Sequence, residues 1–144
     1  KAGLNAVIAI FGIAWMGSTF YLGNQELINN GLSGMVASAP ILFALALFVM
    51  SIMLFSQGAT VTTLYPVGIA LGINPLLLVA IFPAVNGYFF LPNYPTEVAA
   101  IGFDRTGSTH VGKYVINHSF QIPGFITTIV SIALGLLMIQ FLHI

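Results

Sequence analysis

The chain has 144 residues, 58% of them hydrophobic and 4% charged, with a mean hydropathy of +1.04. Soluble domains carry about 25% charged residues because a water-facing surface needs polar cover, and three basic and three acidic side chains cannot coat a globule of this size. A soluble domain is therefore excluded, and a net charge of zero argues against a nucleic-acid partner, which requires a basic face. The chain has no cysteine, so it holds no disulfide and no thiolate metal site. It opens on Lys1, with no basic region and small-residue cleavage site behind it, and a piece of a longer chain is expected.

A spanning helix needs about 20 mainly apolar residues to cross roughly 30 Å of hydrocarbon. Residues 2–22 meet this, with Gly12 and Gly17 offering close helix contacts and Trp15 a large packing group. Residues 23–39 hold Asn24, Gln25, Glu26, Asn29 and Asn30, too polar for hydrocarbon, while Leu27, Leu32 and Val36 recur on one helix face. A short helix lying in the interface is expected there. Pro40 opens the next apolar run, at a first helical position where proline is tolerated.

Residues 41–55 are apolar or small, yet at about 1.5 Å per residue they reach only about 22 Å. The polar cluster Ser56-Gln57-Gly58-Ala59-Thr60-Val61-Thr62-Thr63 follows, then a shorter apolar return that stops at Gly72-Ile73-Asn74-Pro75, a turn signal. Two segments too short to cross, joined by a polar tip, describe a re-entrant hairpin over about residues 40–72. Irregular backbone at membrane depth needs protein or an aqueous cavity around it, which makes the tip a site candidate.

A helix over about residues 75–103 is interrupted from Pro83 to Thr96. Continuing through Pro92 and Pro95 would cost about 3 kcal/mol or more at each, so these two prolines keep it broken. It restarts at Pro95 and runs to about Phe103, with Glu97 in the first turn, where the positive helix end favours an anion. A last span covers residues 117–143, with Asn117 a reasonable cap. The sum is an all-α polytopic membrane protein. A hairpin beside a broken helix is the pattern of a secondary transporter's midplane site. By parity Lys1 shares a side with loop 104–116, which holds Arg105 and Lys113, so that side is cytoplasmic and the C-terminus faces outward.

Ser56, Gln57, Thr60 and Thr62 have two readings: contacts to a substrate and an ion, drawn by free carbonyls near Ser56 and free N–H groups near Thr60, or caps of the two helix ends. Asn86, Asn93 and Thr96 are the broken helix's polar groups, again either binding groups or parts of an ordinary proline kink. Tyr88, Phe89 and Phe90 read as packing and interface aromatics. Glu97 reads either as a proton or ion carrier or as a capping acid near the cytoplasmic interface. Asp104 to His110 reads as a solvated turn anchored by a local ion pair. His118 and His143 lack metal-ligand spacing. Gly31-Leu32-Ser33-Gly34 matches the G-x-S-G of rhomboid-type intramembrane proteases, but Ser33 lies in the polar interfacial stretch, and no enzyme is expected.

Trp15-Met16-Gly17-Ser18-Thr19-Phe20, the tip Ser56-Gln57-Gly58-Ala59-Thr60 and the long run from Phe82 to Thr96 resemble the anaerobic C4-dicarboxylate transporters of bacteria, the Dcu family. The likeness continues through Asp104-Arg105-Thr106-Gly107-Ser108-Thr109, Asn117-His118-Ser119-Phe120 and Ile122-Pro123-Gly124. It implies the C-terminal third of a protein whose N-terminal part is missing here. Such a protein exchanges or takes up fumarate, succinate, malate and aspartate across the inner membrane during anaerobic fumarate respiration, with no cofactor and with Na⁺ or H⁺ as a co-transported ion. The C-terminus would then be periplasmic. More distantly the layout resembles sodium-dicarboxylate carriers built from two inverted repeats, whose tip reads Ser-Asn-Thr; here Gln57 replaces the Asn and the Thr is displaced. Some transporters of this type also report substrate to a sensor kinase, which would contact the loop after Asp104. A C4-dicarboxylate brings about −2, and two helix N-termini offer about +1, so the site is expected to be shared with the missing part or with a co-bound cation.

Overall fold

The computed structural model describes residues 2–91, 94–111 and 117–142; Lys1, Pro92, Asn93, Lys113 and His143 lie outside the described residues. All regular structure within them is helical. Helix α1 (Ala2–Gly23) is separated from α2 (Gln25–Ser38) by Asn24, whose amide donates to the Phe20 carbonyl (2.8 Å) and closes the end of α1. On α2, Leu32 and Val36 are buried, and Ile28 packs against the core beside them. Leu27 is exposed, contrary to the expected face, because it sits about 100° around the helix from Ile28.

Helix α3 (Leu42–Leu54) is the centre of the molecule. It touches α1, α2, α4 and the stretch Phe82–Phe89, and it buries Phe43, Ala46, Leu47, Met50, Ser51 and Leu54. Pro40 precedes this helix in a turn, where its carbonyl accepts the Phe43 N–H (3.0 Å), and does not occupy its first position. Phe55 ends α3 in the left-handed region (φ 49), and Ser56 is extended and caps α4 (Gln57–Ala70), its Oγ accepting the Ala59 N–H (3.2 Å). The polar cluster is therefore not an irregular tip: Gln57 to Thr63 are helical, because a serine cap satisfies a first-turn donor four residues before Thr60.

Gly72 (φ 82) turns the chain after α4, and the Asn74 side chain caps α5 (Pro75–Ala80) by accepting the Leu76 N–H (2.8 Å). The Tyr65 hydroxyl donates to the Leu78 carbonyl (2.8 Å), tying α4 to α5. The α-helix ends at Ala80, just before the expected interruption at Pro83, but the chain does not turn irregular there. Phe82–Phe89 continues as a 3-10 helix, since Pro83 lies in its first turn, where its missing N–H costs nothing. One residue inside it, Asn86, leaves helical geometry (φ −91, ψ 19). The next helix, α6 (Pro95–Phe103), starts with proline at its first position after an extended Tyr94.

Helix α7 (Gln121–Leu142) packs on α5 and on the 3-10 helix. It begins later than the reading from Asn117: that residue is left-handed (φ 61), and its N–H donates to Gln121 Oε1 (2.8 Å), so the glutamine reaches back to Asn117. At Gly135 the helix approaches α5 so closely that a Cβ would lie 2.7 Å from the Ala80 carbonyl oxygen. Among the described residues one helix, Gln121–Phe141, is long and apolar enough to cross a membrane. It leaves Ile122, Ile126, Ile129 and Phe141 exposed. Trp15 of α1 is 78% exposed.

Candidate functional site

Gln57, the first residue of α4, reaches across to the 3-10 helix. Its Nε2 donates to Asn86 Oδ1 and to the Tyr88 hydroxyl (3.2 Å). The Tyr88 ring in turn stacks on Tyr94, with centroids 4.3 Å apart and planes inclined by 28°. Tyr94 immediately precedes α6, so side chains from the start of α4 and from the residue before α6 both reach one tyrosine. Helix starts carry unsatisfied N–H groups and a partial positive charge. Around them stand neutral donors: Gln57 Nε2, the Asn86 amide nitrogen and the Tyr88 hydroxyl, which keeps its proton to donate while accepting from Gln57. The arrangement suits an anion held by dipoles in place of a cationic side chain.

Two clips fix the 3-10 helix. Ser51, buried in α3, accepts the Gly87 N–H (2.9 Å) and donates to the Phe48 carbonyl (2.8 Å). Gly87 has no room for a side chain, since a Cβ would lie 2.6 Å from Ser51 Oγ. Beyond the 3-10 helix, His118 Nδ1 accepts the Phe120 N–H (3.3 Å), which leaves the proton on Nε2 to donate to the Phe90 carbonyl (3.2 Å). That carbonyl is one the chain's departure from helical geometry sets free. Phe89 and Phe90 pack edge-on against Phe125 of α7, as their reading as packing aromatics anticipates.

A cavity of about 290 Å³ opens beside this junction, lined by Asn86, Tyr88, Phe89, Glu97, Phe120, Pro123, Gly124, Thr127 and Thr128. Glu97 is 7% exposed, and its Oε2 has no hydrogen-bond partner. Of the other residues singled out in the sequence, Ser56 and Thr60 serve the start of α4: Thr60 is fully buried and its hydroxyl donates to the Ser56 carbonyl (2.8 Å). Thr96 lies exposed in the first turn of α6, and Pro95 opens that helix. Pro92 and Asn93 are outside the described residues. The structure thus brings together Gln57 and Asn86, with Glu97 on the same cavity as Asn86. The reading of Tyr88 as a mere interface aromatic is corrected by its bond to Gln57. Ser51 went unnoticed; the signal available for it is a lone hydroxyl inside an otherwise apolar helix.

The loop after α6 differs from its expected form as well. The Asp104 carboxylate accepts from the Thr106 hydroxyl (2.6 Å), the Thr109 N–H (2.6 Å) and hydroxyl (2.8 Å), the Thr106 N–H (2.8 Å) and the Ser108 hydroxyl (3.1 Å). These neutral donors, with the Thr106 hydroxyl foremost, hold the Asp104 carboxyl far below the usual carboxylate range, and among the described residues they, not an ion pair, anchor the turn.

A family model described as "Anaerobic c4-dicarboxylate membrane transporter" matches residues 1–143. The chain belongs to this family. Relatives include the C4-dicarboxylate transporter DcuA of Escherichia coli K12, 42% identical over 142 residues (99% of this chain, 33% of that protein). The DcuA of Wolinella succinogenes is 43% identical over 135 residues (94% and 31%), and the anaerobic C4-dicarboxylate transporter DcuB of Escherichia coli O6:H1 is 42% identical over 135 residues (94% and 30%). The chain thus spans about a third of the length of these relatives. No solved structure matches it. Its Dcu relatives are named as transporters, which accords with the absence of an expected enzyme activity from the sequence reading.

Proposed function

We propose that this chain is the C-terminal third of a secondary transporter that moves C4-dicarboxylates across the bacterial inner membrane, by exchange or by cation-coupled uptake. The observation that carries this reading is the contact of Gln57 with Asn86 and Tyr88, which sets the start of α4 against the helix break beside a cavity. In this reading α3 and α4 form a re-entrant hairpin, and α5, the 3-10 helix and α6 form the broken helix of one inverted repeat. Loop 104–116 is cytoplasmic and the C-terminus periplasmic. One substrate carboxylate displaces the Gln57–Asn86 bond and takes the freed amide hydrogens together with the first-turn N–H groups of α4 and α6. Ser56 and Thr60 hold the α4 start in position, and Thr96 is a further contact, as is Asn93, which lies outside the described residues. The missing N-terminal part holds the second carboxylate.

The test is uptake of labelled succinate into fumarate-loaded proteoliposomes by the full-length transporter. Alanine at Gln57, Asn86, Asn93 or Thr96 is expected to cut exchange roughly tenfold to a hundredfold, since a hydrogen bond to a charged group is worth about 1.5–3 kcal/mol. Unchanged exchange in all four inserted variants contradicts the assignment.

A further inference from the structure

Among the described residues Glu97 stands out as a buried acid with no group to balance it. It is 7% exposed, Oε2 is without a partner, and the side chain lines the cavity that Asn86 and Tyr88 share. Titratable groups around it are few. It is the only one in α6; the 3-10 helix supplies Tyr88, the segment before α6 supplies Tyr94, α1 contains Tyr21, and α7 contains none. Among the described residues, the lining of the cavity includes no lysine, arginine or histidine. Buried charges are ordinarily paired or else neutralised.

Charge balance turns this into a statement about transport, one that rests on the dicarboxylate reading above. The substrate brings about −2, and the two helix starts return about +1. An ionised Glu97 would deepen the deficit by a full charge beside the bound dianion, whereas a neutral one leaves it as it is. The neutral acid also gains an O–H, matching the donors at Gln57, Asn86 and Tyr88.

We propose that Glu97 carries one proton whenever the dicarboxylate is bound, and that this proton crosses the membrane with the substrate. A hydronium ion on the loading side protonates Oε2, leaving water. After the substrate departs on the far side, the O–H bond breaks and the proton returns to water there, so net uptake of a dianion brings one proton with it. Glu97 is then the coupling residue.

The experiment measures fumarate binding to the purified full-length transporter between about pH 6 and pH 9, where fumarate in solution stays a dianion. In the wild type the dissociation constant should rise with pH, approaching about tenfold per unit at the alkaline end, as linkage to one proton requires. Glu97→Gln, which mimics the neutral acid, should lose this slope, and Glu97→Asp should keep it. Fumarate uptake by wild-type proteoliposomes should acidify the lumen by about one proton per molecule moved. A wild-type constant flat across the range overturns the proposal without reference to any variant, as does a Glu97→Gln protein with the wild-type slope. Absence of fumarate binding at every pH overturns the dicarboxylate reading itself, a distinct result.

Discussion

Gln57 and Tyr88 carry the site's geometry through bonds between residues far apart in sequence, the Gln57–Tyr88 pair being separated by 31 positions. No local pattern encodes such a pair, which is why the sequence supports Gln57 and Asn86 separately as candidates and leaves Tyr88 among the aromatics. Thr60 illustrates the opposite difficulty: a hydroxyl in a first turn looks alike in sequence whether it meets a ligand or its own backbone, and here it donates to the Ser56 carbonyl. Asp104 is decided by numbers of donors. Five hydrogen bonds from Thr106, Ser108 and Thr109 favour its ionised form. Because its folded-state carboxyl titrates far below the unfolded value of about 3.9, the turn's stabilisation is fully present above that value and is lost as pH falls beneath it. Protease protection of the 104–109 turn should accordingly hold steady from about pH 8 to pH 5 and decline below about pH 4. Asp104→Asn should expose the turn at every pH.

Among elements, the informative relation is between α3 and the 3-10 helix, which the buried Ser51–Gly87 bond joins. Ser51→Ala leaves the Gly87 N–H without a partner in a buried contact, at a cost of about 1–3 kcal/mol. The thermal midpoint of the detergent-solubilised transporter should fall, and Gly87→Ala should lower it as well, because the added Cβ meets Ser51 Oγ at 2.6 Å. An unchanged midpoint in Ser51→Ala would mean that the clip contributes nothing. The restart of α6 at Pro95 was legible because proline both forbids continuation and suits a first helical position. The start of α4 was placed too late, since the polar cluster's composition argues for a loop while the Ser56 cap argues for a helix. The 3-10 helix was unreadable for a related reason. Prolines announce where a ladder ends, and they say little when the first turn needs no donor.

At the scale of the molecule, apolar faces of α1 and α7 point outward, with Trp15, Phe11, Ile126 and Phe141 all exposed. The chain spans about a third of the length of its relatives, and in the proposed transporter such faces would meet lipid and the remaining segments. Membrane character follows directly from composition and needed no structure. The meeting of the Gln57 and Tyr94 side chains on Tyr88 needed the fold. The central claim is our proposal that this meeting makes α4 and the helix break one half-site. Its most direct test is succinate affinity of the full-length transporter in four forms: wild type, Gln57→Ala, Asn86→Ala and the double variant. Each single change is expected to weaken binding roughly tenfold or more, and the double change should depart from additivity by about 0.5–3 kcal/mol, as contacting residues do. Four equal affinities would contradict the account and return Gln57 and Asn86 to a purely structural role.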